Sequence, residues 1–453
     1  MSQTSPTEQM LEWLAERPAI ENLRAGVCDF NGIMRGKLIP VKQAKKALTS
    51  GLRIPLSTPS VDIWGNDIAK SPLVYESGDG DGILHWTGRN ILAMEWLEQP
   101  TGLIPLWLSD ENGAPFLVDP RQALAHVLEK FTALDLKPVV ATELEFYLVD
   151  PDKTRPAPPK SPATAKVLDA NAVLSIDEID HFDGFFNDVY TMCAQQGIPA
   201  DTAIAEGGAG QFEINFAHCD DALRAADDAM LFKRIVKGVA RKHRLVASFM
   251  AKPYAGRSGN GLHVHFSLLD KTGKNIFDDG SDDGSKAMQY AVAGLLKAMP
   301  ESTLIFAPHL NSYRRLQPHT HAPSVVCWGY ENRNAAIRIP GGPRIARRIE
   351  HRVSGADANP YLVLAAILGA ALAGMKSEQM PVDPLVGDTS SPDLEHLPDD
   401  WRTAIGCFEE AKILPSFFSL LFRDLYASCK RQEERTFASQ ITDFEYNTYL
   451  ETT

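Results

Sequence analysis

Glu and His side chains are gathered in four short, separate stretches that have the composition of β-strands or lead into one. The stretches are residues 143–145, 206–213, 263–265 and 350–352. Carboxylate oxygens and imidazole nitrogens that converge from several strands can hold hard divalent cations. Two such cations together can position a nucleoside triphosphate and a carboxylate substrate for phosphoryl transfer.

Sequence parity predicts that most of these side chains share one face of a sheet. Glu143 and Glu145 alternate with apolar residues, and so do His263 and His265. For one strand, exposure of the polar face to water is the ordinary explanation. Lysine, however, is absent from all five segments with this pattern, which are residues 142–149, 211–216, 261–268, 334–339 and 348–353. The shared pattern favours a curved sheet that encloses a polar cavity.

Arginine is concentrated near the last of these segments. The guanidinium group offers forked donors for phosphate and carboxylate and keeps its charge. A solvated basic face is the alternative interpretation. The cluster lies within residues 314–352 and consists of Arg314, Arg315, Arg333, Arg338, Arg344, Arg347, Arg348 and Arg352.

Composition limits the class of protein. A chain of 453 residues predicts two domains. The net charge of −13 disfavours nucleic acid and anionic membranes as partners. Six cysteines without a CxxC pair predict reduced thiols in the cytoplasm, and the N-terminal residues lack a signal-peptide pattern. The apolar run 360–375 is short for a membrane span and predicts a buried helix.

The order of elements predicts a small α+β domain, residues 1–112, followed by a larger domain, residues 113–453. A hairpin is expected around Asn31-Gly32, because this dipeptide favours a tight turn between two strands. Asp119-Pro120 predicts the start of a helix. Further helices are expected over 183–197 and 221–242, and another that ends at Met299. A loop is expected over 151–165.

The motifs, taken in order, resemble those of the glutamine synthetase family. They are ELEFYL, EGGAGQFE, GNGLHVHFSL, NSYRRLQP, ENRNAAIRIP and RRIEHR. The resemblance covers nearly the whole chain. It implies a small N-terminal β-grasp-like domain and a catalytic domain with a curved antiparallel sheet covered by helices. It also implies a homo-oligomer, usually a dodecamer of two hexameric rings with active sites between subunits.

The same resemblance implies an ATP-dependent reaction with two or more Mg²⁺ or Mn²⁺ ions per site. One ion would be held by Glu145, Glu206 and Glu213, and the second by Glu143, His263 and Glu350. ATP would phosphorylate the γ-carboxylate of glutamate, and an amine would then displace the phosphate to form an amide.

The anion-binding residues are also carried over by motif. Arg315, Arg352 and the backbone at Gly259 would bind glutamate. Arg333 and Arg338 would hold phosphate, and His265 and Arg348 would contact the nucleotide. Arg333, Arg315 and Arg352 would act in catalysis together with His321.

Two segments depart from the ammonia-using enzymes of the family. Residues 53–60 lack the expected aspartate, although Asp62 lies near, and His321 stands where a glutamate would be expected. These departures favour a primary amine over ammonia, and the branch that joins glutamate to polyamines such as putrescine. His321 would accept a proton from the amine or, alternatively, only pack in its loop.

Two alternatives remain at the level of sequence. A true glutamine synthetase would use ammonia, and a non-catalytic relative would keep the ring only as a scaffold. For a diamine, the far ammonium group would need an acidic partner. Asp177, Glu178 and Asp180 are candidates, although solvation at the surface is the ordinary role of such residues.

Overall fold

In a computed structural model of the chain, the described residues are 5–317, 320, 322–389 and 394–453. His321 and part of the segment SSPDLEHLP lie outside them. The strands are β1 (Asn22–Cys28), β2 (Met34–Pro40), β3 (Leu52–Pro55), β4 (Asp81–Trp86), β5 (Leu92–Ala93), β6 (Thr101–Ser109), β7 (Lys137–Val149), β8 (Ala200–Ala205), β9 (Gln211–Phe216), β10 (Val246–Ser248), β11 (Leu262–Leu269), β12 (Trp328–Tyr330), β13 (Ile337–Ile339) and β14 (Ile349–His351).

The strands are connected and covered by helices. They are α1 (Pro6–Ala15), α2 (Ala44–Thr49), α3 (Pro72–Tyr75), α4 (Pro120–Thr132), α5 (Ile176–Asp180), α6 (Asp183–Gln196), α7 (Ala222–Lys242), α8 (Lys286–Phe306), α9 (Pro360–Ser377), α10 (Trp401–Glu409), α11 (Leu420–Ala438) and α12 (Asp443–Tyr449). The expected α+β class is confirmed.

The first sheet has the order β2-β1-β6-β4-β3, with β5 paired to β6. The predicted hairpin is present, since β1 and β2 pair antiparallel. Gly32 has a φ of 72°, a left-handed conformation that glycine adopts readily. The Asp29 carboxylate accepts hydrogen bonds from the N–H groups of Asn31 and Ile33 and so closes the turn.

The second sheet has the order β12-β13-β14-β11-β7-β9-β8, with β10 paired to β7. Its pairs are antiparallel, as expected, except for β12 and β13, which pair parallel at one edge. The segment expected as a strand over 334–339 is strand only from Ile337. Residues 331–336 turn instead, with Glu331 at a φ of 53°.

Two core helices can be compared with the sequence predictions: α8 is longer than predicted, and α9 is buried as predicted. The helix predicted to end at Met299 continues through Pro300 to Phe306, because it packs along α9 and buries its last residues. The contact is close: a Cβ on Gly294 would lie 2.5 Å from the Gly374 Cα. Helix α9 is long and apolar enough to cross a membrane, yet 78 % of its apolar window is buried inside the protein, as a core helix would be.

Helix α4 begins where the sequence predicted. The side chain of Asp119 accepts a hydrogen bond from the N–H of Arg121, and Pro120 occupies the first turn. The other oxygen of this buried carboxylate accepts from the N–H of Leu108 at 2.6 Å, and so ties the helix to β6. The first sheet ends at Ser109 and the second begins at Lys137, and the domain division at residues 112 and 113 stays a prediction.

Candidate active site

The register of the second sheet brings the predicted ligands together across four neighbouring strands. Glu145 on β7 lies opposite Glu213 on β9. Glu143 lies opposite His263 on β11. On the other side of β11, His265 lies opposite Glu350 on β14. Leu144, Phe146 and the other apolar neighbours are buried in the core, so the side chains of the predicted ligands alternate with core residues as parity predicts.

Distances group the donors around one shared carboxylate. In one group Glu143, Glu213 and His263 each offer a ligand atom within 4.8 Å of the others, and in a second group Glu143, His265 and Glu350 do the same. This grouping differs from the division that the family motifs imply, because Glu143 belongs to both sets and His265 joins the second. The assignment of three residues to each ion stays a prediction.

Glu143 is held by the two imidazoles of β11. His263 Nδ1 is 3.0 Å from one carboxylate oxygen, and His265 Nε2 is 2.9 Å from the other. Burial by itself raises the pKa of Glu143, but hydrogen bonds and positive charge from the two histidines outweigh it and lower the pKa. Glu143 is therefore anionic at neutral pH, as a metal ligand must be.

Glu206 and Glu213 show the opposite effect. Burial, together with the negative charges of Glu143 and Glu145, raises the pKa of Glu206 to about 7 and that of Glu213 to about 9. Close carboxylates repel one another in this way unless a cation offsets their charge. The Oδ1 atom of Asn215, on the same face, is buried without a hydrogen-bond partner among the described residues. This oxygen-rich donor set fits a hard divalent cation.

Glu350 is fully buried between two arginines. Arg338 Nη1 donates to it at 2.6 Å, and Arg352 donates to its other oxygen. Burial raises the pKa of Glu350, but Arg352 and its other cationic neighbours outweigh burial and lower it. The Nε atoms of both arginines are buried and without partners within the described part of the chain. These two N–H groups are therefore available to donate hydrogen bonds to an anionic ligand.

Arg315 and Gly259 also lie together, as the resemblance implies. Arg315 is buried and donates from Nη1 to the carbonyl of Val353 at 2.7 Å. A Cβ on Gly259 would lie 2.9 Å from Arg315 Cγ and 2.5 Å from the carbonyl oxygen of Ala251. Only glycine fits here, so the backbone at 259 can approach a ligand beside the guanidinium.

Arg348 and Arg333, which were predicted to contact the nucleotide, lie close to the proposed metal ligands. Arg348 Nε is 3.3 Å from His265 Nδ1. Arg333 is exposed on the turn between β12 and β13, and its positive charge acts to lower the pKa of Glu206 against the larger effect of burial. His321 falls outside the described residues, and its role stays a prediction.

The structure adds two residues that the sequence interpretation missed or misjudged. Tyr147 shares the face of Glu145, and its hydroxyl donates to the carbonyl of Ser258 at 2.8 Å. Parity along β7 was the signal that could have found it. Glu178 is buried rather than solvated, because its carboxylate accepts a hydrogen bond from the N–H of Gly210 at 3.3 Å. Asp177 and Asp180 are exposed.

Asp62 is not available as an ammonium site in this chain. It is 2 % exposed, and one carboxylate oxygen accepts from the N–H groups of Trp64 and Asn66. The other oxygen accepts from the Gln432 side chain of α11 at 2.9 Å. Its carboxylate therefore stabilises the loop and its contact with α11.

The two sheets, together with the grouped carboxylates and imidazoles on the second sheet, are the features that identify the class of protein. A model of the glutamine synthetase catalytic domain matches residues 117–449, and the chain belongs to the glutamine synthetase family. The resemblance seen in the motifs is thereby confirmed.

Among its relatives, the γ-glutamylputrescine synthetase PuuA of Escherichia coli (strain K12) is 37 % identical over 97 % of this chain and 93 % of its own length. The glutamate–isopropylamine ligase of a Pseudomonas species is 31 % identical over 96 % of both chains. The solved structure of GmaS in complex with ADP matches with a TM-score of 0.84, at 28 % identity over 97 % of this chain and 99 % of its own.

Proposed function

We propose that the protein is an ATP-dependent ligase that joins the γ-carboxylate of glutamate to a primary amine. A polyamine such as putrescine or another alkylamine is the proposed acceptor. The observation that carries the proposal is the shared carboxylate of Glu143, which lies in both ligand groups. A pair of cation positions beside buried arginines is the arrangement that phosphoryl transfer from ATP requires.

Each group of residues has a proposed role in the reaction. Glu143, Glu145, Glu206, Glu213, His263 and Glu350 would hold Mg²⁺ or Mn²⁺. When bound, these cations offset the negative charge that gathers during transfer of the γ-phosphoryl group. Arg315 and Arg352, with the backbone at Gly259, bind the glutamate, and Arg333 and Arg338 bind the transferred phosphoryl group.

Two bond exchanges complete the reaction. A γ-carboxylate oxygen of glutamate bonds to the γ-phosphorus of ATP, and the bond to ADP breaks, which leaves γ-glutamyl phosphate. The amine nitrogen then bonds to the acyl carbon of the γ-carboxyl group, and the bond from that carbon to the phosphate oxygen breaks. The nitrogen loses a proton in this step, and His321 is the proposed base.

The hydrogen bonds of Asp62 favour an amine other than ammonia as the acceptor. Its carboxylate is fully engaged within its own loop and α11, so this chain does not present it to a small cation. The relatives named above support the same choice, since their names specify putrescine and isopropylamine. A non-catalytic scaffold is disfavoured, because all six proposed ligands and the four proposed arginines are present.

We also propose a cytoplasmic homo-oligomer, a dodecamer of two hexameric rings in which each site lies between subunits. The six cysteines are free thiols, as a reducing compartment would keep them. Apolar side chains of α12 and its flanks are open in the single chain, with Phe444 79 % and Leu450 75 % exposed. Surfaces of this kind are typical of subunit contacts.

The test is a turnover panel. Purified protein with ATP, Mg²⁺ and glutamate is supplied with ammonia, methylamine, isopropylamine, ethanolamine, putrescine or spermidine, and ADP and the γ-glutamyl amide are measured. We expect ADP release that needs glutamate, Mg²⁺ and amine together, with an alkylamine or polyamine ahead of ammonia. Equal turnover with ammonia and every amine would remove the claim on the acceptor. No amide with any of them would remove the ligase.

A further inference from the structure

The segment before α5 exposes a run of apolar side chains beside the candidate active site. Val167, Val173, Leu174 and Ile176 are between 55 and 70 % exposed. Single exposed apolar residues are normal on a soluble protein, but several within ten residues of one another are typical of a binding surface.

This segment is attached to both sides of Glu206. The N–H of Leu174 donates to the carbonyl of Ala205 at 2.8 Å, immediately before Glu206. Immediately after it, Val173 Cγ2 lies 3.8 Å from the position that a Cβ on Gly207 would occupy. The side chain of Val173 therefore lies beside the backbone of the residue that follows Glu206, one of the proposed metal ligands.

An acidic group lies on the same wall. Asp169 forms an ion pair with Arg257, yet 63 % of its side chain stays exposed. Arg257 precedes Ser258, whose Oγ is 2.8 Å from the same Cβ position at Gly207. Val173 and Ser258 thus both lie near the backbone of Gly207. Asp169 is connected to the same place through its ion pair with Arg257, the residue before Ser258.

Two polar atoms on this wall have no partner. Arg257 lies over the ring of Tyr254, with 4.8 Å between the guanidinium carbon and the ring centroid. The Tyr254 hydroxyl and Arg257 Nη1 are both buried without hydrogen bonds to any described residue. Buried polar atoms are nearly always paired in a complete site. The wall therefore has the apolar surface, the acid and the unused polar atoms of an incomplete ligand pocket.

We propose that Val173 and Asp169 select the acceptor amine, and that this acceptor is an aliphatic diamine. Val173 contacts its methylene chain, and Asp169 binds the ammonium group at the far end. The inference rests on the proposed ligase activity and narrows its substrate. A diamine has both features that the wall offers to a ligand, whereas ammonia has neither an apolar body nor a second charge.

The apolar contact is tested by Val173→Thr, which keeps the shape of the side chain and replaces a methyl group by a hydroxyl. Val382→Thr, the same change at an exposed valine outside this segment, is the matched control. We expect kcat/KM for butylamine and putrescine to fall about tenfold in Val173→Thr, while kcat/KM for ammonia changes less than about twofold. Val382→Thr should match the wild type on every amine. An equal loss in both variants, or no loss in Val173→Thr, would overturn the role of Val173.

The far ammonium contact is tested by Asp169→Asn, compared with Asp177→Asn at the exposed rival candidate. The substitution removes an anion and leaves the charge of Arg257 unbalanced, so we expect kcat/KM for putrescine to fall about 20-fold. Butylamine, which has no second charge, should change less than about twofold. If Asp177→Asn carries the loss instead, or putrescine and butylamine fall together, the role of Asp169 is wrong.

Failure of this inference is distinguishable from failure of the proposed function. If the wild type makes γ-glutamyl amides and both test variants match it on all amines, the ligase stands and the amine-selecting wall lies elsewhere. If the wild type makes no amide with any amine, the function itself fails. Ammonia turnover and thermal melting of each variant show that the fold and the phosphorylation step are intact.

Discussion

Glu350 and Arg338 form a buried ion pair, in which Arg338 Nη1 lies 2.6 Å from a carboxylate oxygen of Glu350. Arg352 binds the other oxygen of the same carboxylate. A proposed metal ligand and two proposed anion-binding arginines thus form one network. The two arginines hold the Glu350 carboxylate in position and act to lower its pKa.

Removal of the Glu350 carboxylate should abolish turnover. Glu350→Ala takes one donor from the second ligand group and leaves two arginine charges buried without their counter-ion. We expect kcat to fall on the order of 10³-fold or more, measured as ADP release with glutamate and an amine. Glu129→Ala, at an exposed glutamate of α4, should keep wild-type turnover. Substantial activity in Glu350→Ala would show that the ligand assignment is wrong.

A methyl group at position 259 should damage glutamate binding. In Gly259→Ala the new Cβ would overlap the Ala251 carbonyl oxygen at 2.5 Å and press on Arg315 at 2.9 Å. We expect the KM for glutamate to rise at least about tenfold while the KM for ATP changes little. Gly256→Ala is the matched control, because a Cβ there meets nothing within 4 Å. Equal effects of the two substitutions would contradict the role of Gly259.

The stability of the metal-free protein should fall as pH rises. The pKa of Glu213 is raised to about 9 and that of Glu206 to about 7 by burial and neighbouring carboxylates. Between the unfolded value of about 4.5 and these pKa values, the folded state binds more protons than the unfolded state, so the free energy of unfolding decreases with increasing pH. This contribution is present in full below about pH 4.5 and is lost as pH passes 7 and then 9.

The measurement is the melting temperature in EDTA between pH 5.5 and 9, repeated in Mg²⁺. Cation binding should reduce the decline, because it offsets the carboxylate charge and displaces the protons. Glu213→Gln should make the EDTA curve less steep, since one of the two groups that titrate is gone. A melting temperature that is independent of pH in EDTA, or equally steep in Glu213→Gln, would contradict these pKa shifts.

His321 is expected to act in the second half of the reaction. His321→Ala should leave phosphoryl transfer to glutamate intact and slow amide formation about 10²-fold, the usual range for loss of a positioned base. Rapid-quench analysis separates the two steps, since ADP would appear at the wild-type rate before the amide. Loss of the ADP burst would show that His321 has another role.

Much of the site followed from strand parity. Glu143, Glu145, Glu213, His263 and His265 alternate with core residues, and period-2 alternation requires a shared face. The register between strands could not be predicted from parity, because it depends on pairing between segments that lie far apart in the sequence. For that reason the sequence could not show that Glu143 is shared between two ligand groups.

The errors have a common physical cause, which is tertiary contact. Pro300 is a helix breaker locally, yet α8 continues because its far end is buried against the core. Glu178 lies in a polar segment, yet it is buried because it caps the glycine turn at Gly210. Asp62 lies near the segment that lacks the expected aspartate, but hydrogen bonds within its loop and to α11 occupy its carboxylate.

The central claim is that a glutamate γ-carboxylate is phosphorylated by ATP before an amine attacks it. The most direct test supplies glutamate labelled with ¹⁸O in the γ-carboxylate, together with ATP, Mg²⁺ and putrescine, and measures the released phosphate by mass spectrometry. The account predicts one ¹⁸O atom in each phosphate and a stoichiometric γ-glutamyl amide. Unlabelled phosphate, or ATP cleavage without amide, would contradict it.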